Sequence, residues 1–237
     1  MTKSQKYIYA AAAAAAGLTE LLLRYLLYRM GVDDQGRLVF GHPLAAAVWL
    51  LPLLLLPVLV LAAGKLPKES PAVPLGKLPA VGSILLTAGL AAGVLKMESV
   101  GAMLKAARIL GCLSAVSMCA AAVFRMKGKR PSFLLMVIPC IFFGVFLLST
   151  YQRVRGLPQI MDCLPMMGAG ISLLLYVYHQ AALDLKSSSF RSQMIYGCLS
   201  IFFCITALLD GENPVLYGGC ALWAACGIIS LQEERKE

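Results

Sequence analysis

Eight apolar stretches of 17 to 24 residues, parted by short polar connections, dominate this 237-residue chain. They fall at about 7–30, 43–64, 79–95, 107–124, 132–150, 160–183, 193–209 and 214–231. A stretch of that length can cross a hydrocarbon layer of roughly 30 Å as a helix. Lipid offers no partner to a bare amide or carbonyl, and a helix satisfies its backbone within one segment. A transmembrane β-barrel shows short segments of alternating polarity instead, and the runs here are continuous. The sequence therefore predicts an all-α fold, a polytopic transmembrane helical bundle. It has eight spans with both termini cytoplasmic and forms a single integral-membrane domain over residues 1–237.

Composition narrows the function classes. With 59% hydrophobic and only 14% charged residues, and a mean hydropathy of +0.78, the chain departs from soluble domains in both respects. A soluble enzyme, a nucleic-acid module and a disordered tail are excluded. The net charge of +9 belongs to loops facing anionic lipid rather than to a nucleic-acid partner. None of the eight cysteines forms a CxxC pair, and all lie in or beside apolar stretches. They read as small buried hydrophobes rather than a disulfide framework. Lys3 and Lys6 before an alanine run resemble a signal peptide, but the apolar character continues through Leu26 and Leu27. The first stretch reads as a retained helix.

The third stretch, 79–95, is short and rich in glycine, so its crossing needs a separate test. If all eight cross from a cytoplasmic N-terminus, inner segments hold Lys3, Lys6, Lys65, Lys68, Lys77, Arg125, Lys127, Lys129, Arg130, Lys186, Arg191, Arg235 and Lys236. That is thirteen cations, against six outside: Arg37, Lys96, Lys105, Arg108, Arg153 and Arg155. If 79–95 does not cross, the tally becomes ten against nine and the loop Arg125–Arg130 turns outward. The positive-inside rule favours eight spans, as expected for a bacterial cytoplasmic (plasma) membrane. Pro67, Pro71 and Pro74 predict an extended link between the second and third spans.

Within the first span, Glu20 and Arg24 stand four apart and share a helix face. Gly17, Glu20, Arg24, Tyr28 and Gly31 make one small-and-polar stripe. An ionisable residue at membrane depth costs at least about 2.5–3.5 kcal/mol on insertion scales, so it faces the bundle interior or a watery cavity. The functional reading is a contact with a substrate, ion or headgroup. The structural one is an ion pair that locks the helix into the bundle.

A second cluster, Tyr176, His179, Gln180 and Asp184, ends the sixth span. Tyr176 and Gln180 share a face, as do Gln180 and Asp184, and the histidine offers proton relay near neutrality. An aromatic belt beside a solvated loop is the alternative. A third group forms the outer rim: Asp33, Asp34, Arg37, His42, Gln152, Arg153, Arg155, Gln159, Asp162 and Glu212. It reads as a mixed-charge vestibule or as solvated loop charge.

Gly89 and Gly93 form a GxxxG, with Gly82 seven residues earlier, a close-packing surface for another helix within the fold or between subunits. Ser83, Thr87, Ser114 and Ser117 are expected to bond nearby carbonyls. The basic loop Arg125–Arg130 reads as a topology determinant touching lipid headgroups.

No HExxH, Walker loop or GxSxG occurs, and no lysine lies within a span. Neither a cofactor nor a metal is called for. The sequence therefore favours a small transporter or substrate-binding membrane subunit. Its candidate substrate-binding residues are Glu20, Arg24, Tyr28, Tyr176, His179, Gln180 and Asp184, and its partners are the lipid bilayer and a small-molecule ligand. One alternative is a non-catalytic scaffold that packs a membrane-protein partner, or a second copy, through Gly82, Gly89 and Gly93. A third reading, a membrane-embedded lipid-modifying enzyme using His179 or Glu20 as acid/base, lacks a nucleophile or metal.

Overall fold

The computed structural model describes residues 3–31, 43–66, 69–97, 102–154, 164–183, 185, 187–209 and 213–233. Among these, eight α-helices follow one another: α1 (Lys3–Met30), α2 (Pro43–Gly64), α3 (Lys77–Lys96), α4 (Ala102–Met126), α5 (Phe133–Val154), α6 (Leu164–Ala182), α7 (Phe190–Thr206) and α8 (Pro214–Ser230). Six are long and apolar enough to cross a membrane: α1 to α5, and α7 with the 3-10 turn that continues it. α6 ends in a polar turn of Tyr176, Tyr178, His179 and Gln180. α8 has only 17 residues and lies largely buried among its neighbours.

Local signals account for several boundaries. Ser189 caps α7 by accepting the amide of Ser192 at 3.1 Å, and Pro214 opens α8, where a missing N–H costs nothing. Gly76, with φ of 107°, supplies the turn into α3 that a side chain would resist. The fourth span, expected at 107–124, starts earlier in the structure, where helix α4 begins at Ala102.

The helices are arranged as a ring with two additions. From α3 to α8 each packs on the next, and α8 closes back onto α3. α1 lies outside this ring against α7 and, less closely, α8, while α2 leans on α1 and α7. Aromatic rings fill the interior. Phe142, Phe143 and Phe146 interlock on α5, and Tyr176 meets Trp223 edge-on at 4.9 Å.

The α3–α8 seam is held by absent side chains. A Cβ on Gly89 would stand 3.0 Å from the Val215 carbonyl, and one on Gly219 only 2.7 Å from that of Leu85. Gly82 and Gly93 face Cys226 and Leu216 in the same way. The GxxxG face is therefore covered by α8 of the same chain, and a partner docking through it would first have to displace that helix.

Helix directions alternate. The starts of α1, α3, α5 and α7 and the ends of α2, α4, α6 and α8 meet at one end of the bundle. Lys6 Nζ donates to the Leu231 carbonyl, Arg191 to that of Gly64, and the Gly76 amide to that of Arg125. Ser117 reaches across from α4 to the Leu135 carbonyl near the start of α5.

The α2–α3 link crosses this end as a strap. Its Glu69 carbonyl accepts the Phe190 amide at 3.0 Å, and Pro71 and Pro74 are buried. The link is extended, as its prolines require, and Pro71–Ala72 pairs antiparallel with Gln232–Glu233, a two-residue ribbon beside an otherwise all-helical fold. Prolines suit such a strand because an edge position needs no N–H on its free side.

Candidate functional site

α1 meets the bundle along a seam of Lys6, Ala10, Ala13, Gly17, Glu20, Arg24, Leu27 and Gly31, all buried. The intervals alternate between four and three, the 3.5-residue repeat of helices that supercoil left-handedly. Small residues bring the backbones close: a Cβ on Gly17 would lie 3.1 Å from both the Phe202 carbonyl and the Ile205 Cβ. α1 and α7 run parallel, since Cys198 lies against Tyr9 and Ile205 against Gly17.

Glu20 and Arg24 occupy this seam near the 3-10 turn Ala207–Leu209, which α1 also touches. Arg24 Nε donates to Glu20 Oε1 at 3.0 Å, and both side chains are more than nine-tenths buried. The other carboxylate oxygen, Oε2, is equally sealed and has no hydrogen-bond partner. An acceptor of full or partial negative charge without a donor is costly in an apolar surround. Glu20 is thus satisfied on one side and open to one more donor on the other.

Tyr28 does not join them. The seam repeats at 3.5 residues, so Leu27 takes the buried position and Tyr28 turns out, 38% exposed. Arg29 also lies outside the seam, its guanidinium 5.4 Å from the Tyr25 ring.

The second cluster assembles at the strap end. Gln180 Nε2 lies 3.0 Å from the Tyr176 hydroxyl and 3.0 Å from Gln193 Oε1. Gln193 Nε2 donates to Ser188 Oγ at 3.1 Å, and that hydroxyl lies 3.3 Å from His179 Nδ1. The result is a polar chain from Tyr176 to His179 that ties α6 to α7. The His179 ring stacks on Tyr196 of α7, with ring centroids 4.8 Å apart. Glycines make room, because a Cβ on Gly227 would collide with the Tyr176 hydroxyl and one on Gly197 would reach its ring at 3.1 Å. Asp184 lies outside the described residues, as does the outer rim apart from Gln152 and the helical backbone at Arg153.

Sequence spacing did not point to Gln193 or Ser188, because Ser188 lies in the loop after α6 and Gln193 beyond it on α7, and only the fold brings them to the cluster. Arg125 is a correction. Rather than facing headgroups, it is buried at the end of α4, where it donates to Ser83 Oγ at 2.6 Å and reaches the Pro79 carbonyl at 3.4 Å. Ser83 bonds its own Pro79 carbonyl and Thr87 that of Ser83, both at 2.9 Å, as helix geometry allows. Ser117 instead bonds across to α5, and Ser114 Oγ is buried without a partner.

Chemically, the Tyr176–His179 chain has its donors and acceptors matched, so it braces the α6–α7 pair. Gln193→Ala removes its centre and strands polar groups on both sides. The expected loss is about 2 kcal/mol, read as a lowered midpoint in reversible denaturation in detergent; an unchanged midpoint would contradict the bracing role. No three His, Cys, Asp or Glu side chains come together as a metal site among the described residues. Glu20 differs from the chain in retaining an unmet acceptor. Compared with known proteins, the chain matches no family model, no curated protein and no solved structure.

Proposed function

We propose that this chain is an eight-span protein of a bacterial-type cytoplasmic membrane, one membrane domain with both ends of the sequence on the cytoplasmic side. In this reading it binds a small molecule at Glu20–Arg24, as a small transporter or as the substrate-binding subunit of a larger assembly. Six apolar helices support membrane insertion. The strict alternation of helix directions supports eight crossings, including α3, α6 and α8. The end at which the strap lies carries Lys65, Lys77, Lys127, Lys129 and Arg191, which supports placing it inside.

The observation that carries the ligand reading is the unpartnered Glu20 Oε2, buried beside its ion pair at membrane depth. A merely structural pair gains most when every oxygen is bonded, whereas a binding group keeps one acceptor for its ligand. With no Walker motif in the sequence, energy for transport would come from an ion gradient or a partner ATPase.

Two measurements test this. A single cysteine at Lys129, in a background with the native cysteines replaced, reacts with an impermeant thiol reagent only from the cytoplasmic side, and one at Gly36 only from the other. The opposite pattern, or labelling of both from one side, would overturn the topology. A thermal-shift screen of pooled metabolites against wild type and Glu20→Gln should then give stabilising compounds whose effect disappears in the variant. Equal stabilisation of both proteins would remove Glu20 from the site.

A further inference from the structure

Between α1 and α2 lies a groove of about 480 Å³, within the range of roughly 300–1,000 Å³ typical of small-molecule sites. Ala16 and Leu23 form one wall and Ala47, Leu51, Leu54 and Val58 much of the other; every lining residue is aliphatic. Helical register sets Glu20 between Ala16 and Leu23, one turn beyond the first and just short of one turn before the second. The carboxylate with the unmet oxygen therefore lies behind the groove's α1 wall, on the edge of the α7 seam.

The α2 wall is unusual too. Only Val48, Leu59 and Ala63 of α2 are buried, and between Val48 and Leu59 the helix carries Pro52 and Pro57. Each proline withdraws the amide that the carbonyl four residues earlier, Val48 or Leu53, would accept in an unbroken helix. Leu50, Leu53 and Leu54 are exposed, so in a membrane this groove opens sideways to lipid.

Charge decides what fits. Glu20 and Arg24 together are neutral and short of one donor. An ammonium headgroup would leave a net positive charge in the apolar layer, and a carboxylate or phosphate headgroup would face Glu20. A hydroxyl supplies the missing donor and adds no charge. Resting on the reading of Glu20–Arg24 as a ligand site, we propose that the α1–α2 groove takes the hydrocarbon chain of a neutral, hydroxyl-bearing amphiphile, such as a long-chain alcohol, a prenol or an acylglycerol. The chain enters sideways from the bilayer and its hydroxyl donates to Glu20 Oε2. Because that oxygen is sealed in the present conformation, the Glu20 side chain turns toward the groove as the headgroup arrives.

The test uses the full-length protein in phosphatidylcholine vesicles and three photoactivatable probes of one chain length: hexadecanol, hexadecanoic acid and hexadecylamine, each with a mid-chain diazirine. The alcohol should label α1 and α2 residues of the groove saturably, at least about ten-fold more than the acid or the amine, the worth of one hydrogen bond to a charged group. Unlabelled hexadecanol should compete. Leu54→Trp should abolish labelling by filling the groove, and Ala16→Val reads the same point if the larger change prevents assembly. Glu20→Gln, which keeps the shape but turns an acceptor into a donor, should erase the preference for the alcohol.

Equal labelling by all three probes, unaffected by Glu20→Gln, would overturn the proposal, since the groove would then hold any chain the bilayer supplies. Loss of water-soluble metabolite binding in Glu20→Gln, with no effect of Leu54→Trp or Ala16→Val, would also overturn it while leaving the ligand site at Glu20 standing. Alcohol labelling that follows the groove but ignores Glu20 would overturn the headgroup assignment together with the Glu20 reading.

Discussion

Arg24→Ala is expected to destabilise the protein by about 3–5 kcal/mol, because it leaves the Glu20 carboxylate buried without its counter-charge. Glu20→Ala should cost a similar amount by stranding the guanidinium. Replacing both, as Glu20→Leu with Arg24→Leu, should recover most of the loss, since a well-packed apolar pair substitutes for a buried ion pair at little cost. Reversible unfolding in mixed micelles across this four-member cycle measures the coupling directly. Additive effects would mean that the 3.0 Å contact contributes nothing. The double variant has a second use. It should fold yet bind no ligand, which separates a role in holding α1 from a role in recognition.

Gly219→Leu is expected to be the most damaging single change in the α3–α8 seam. Even a Cβ there would sit 2.7 Å from the Leu85 carbonyl and 3.1 Å from Gly89 Cα. Both neighbours are backbone, so neither can swing away as a flexible side chain would. Overpacking of this kind costs about 1–3 kcal/mol and more where the surround cannot yield; with a branched side chain on a backbone-to-backbone contact, about 3 kcal/mol or more is expected. Lipid chains are as apolar as leucine, so close packing between helices is a main source of their association. Gly144→Leu is the matched control, because the nearest atom to its Cβ, on Leu174, is 4.0 Å away. Equal melting points for the two variants would contradict the account of the seam.

Much of the fold was legible because lipid imposes one rule on every crossing. The stretches 43–64 and 214–231 match their helices to within a residue, and the others differ at their ends by a few residues. The proline link was legible for the same kind of local reason, fixed φ and missing amides. Its pairing with Gln232–Glu233 was not, since a two-residue ribbon carries no periodic signal and its strands are about 160 residues apart in the chain.

The site was legible in part. Glu20–Arg24 follows from i,i+4 spacing alone, as does Tyr176–Gln180. Tyr28 was misplaced because four-residue steps hold only over a turn or two, after which a 3.5-residue seam moves on to Leu27. Gln193 and Ser188 depend on how α6 meets α7, and the burial of Arg125 on how α4 meets α3, which no local pattern encodes. The unmet oxygen of Glu20 is likewise a fact of packing: the sequence says a carboxylate is there, and only the fold says that one of its oxygens has no donor.

The central claim is that Glu20 holds a ligand rather than only a helix. Native mass spectrometry of gently extracted protein, wild type beside Glu20→Gln, tests it most directly. The account predicts a bound small molecule or amphiphile on the wild type that the equally folded variant has lost. A bare chain in both cases, or the same adduct in both, would contradict it and leave the Glu20–Arg24 pair as a device for fastening α1 to α7.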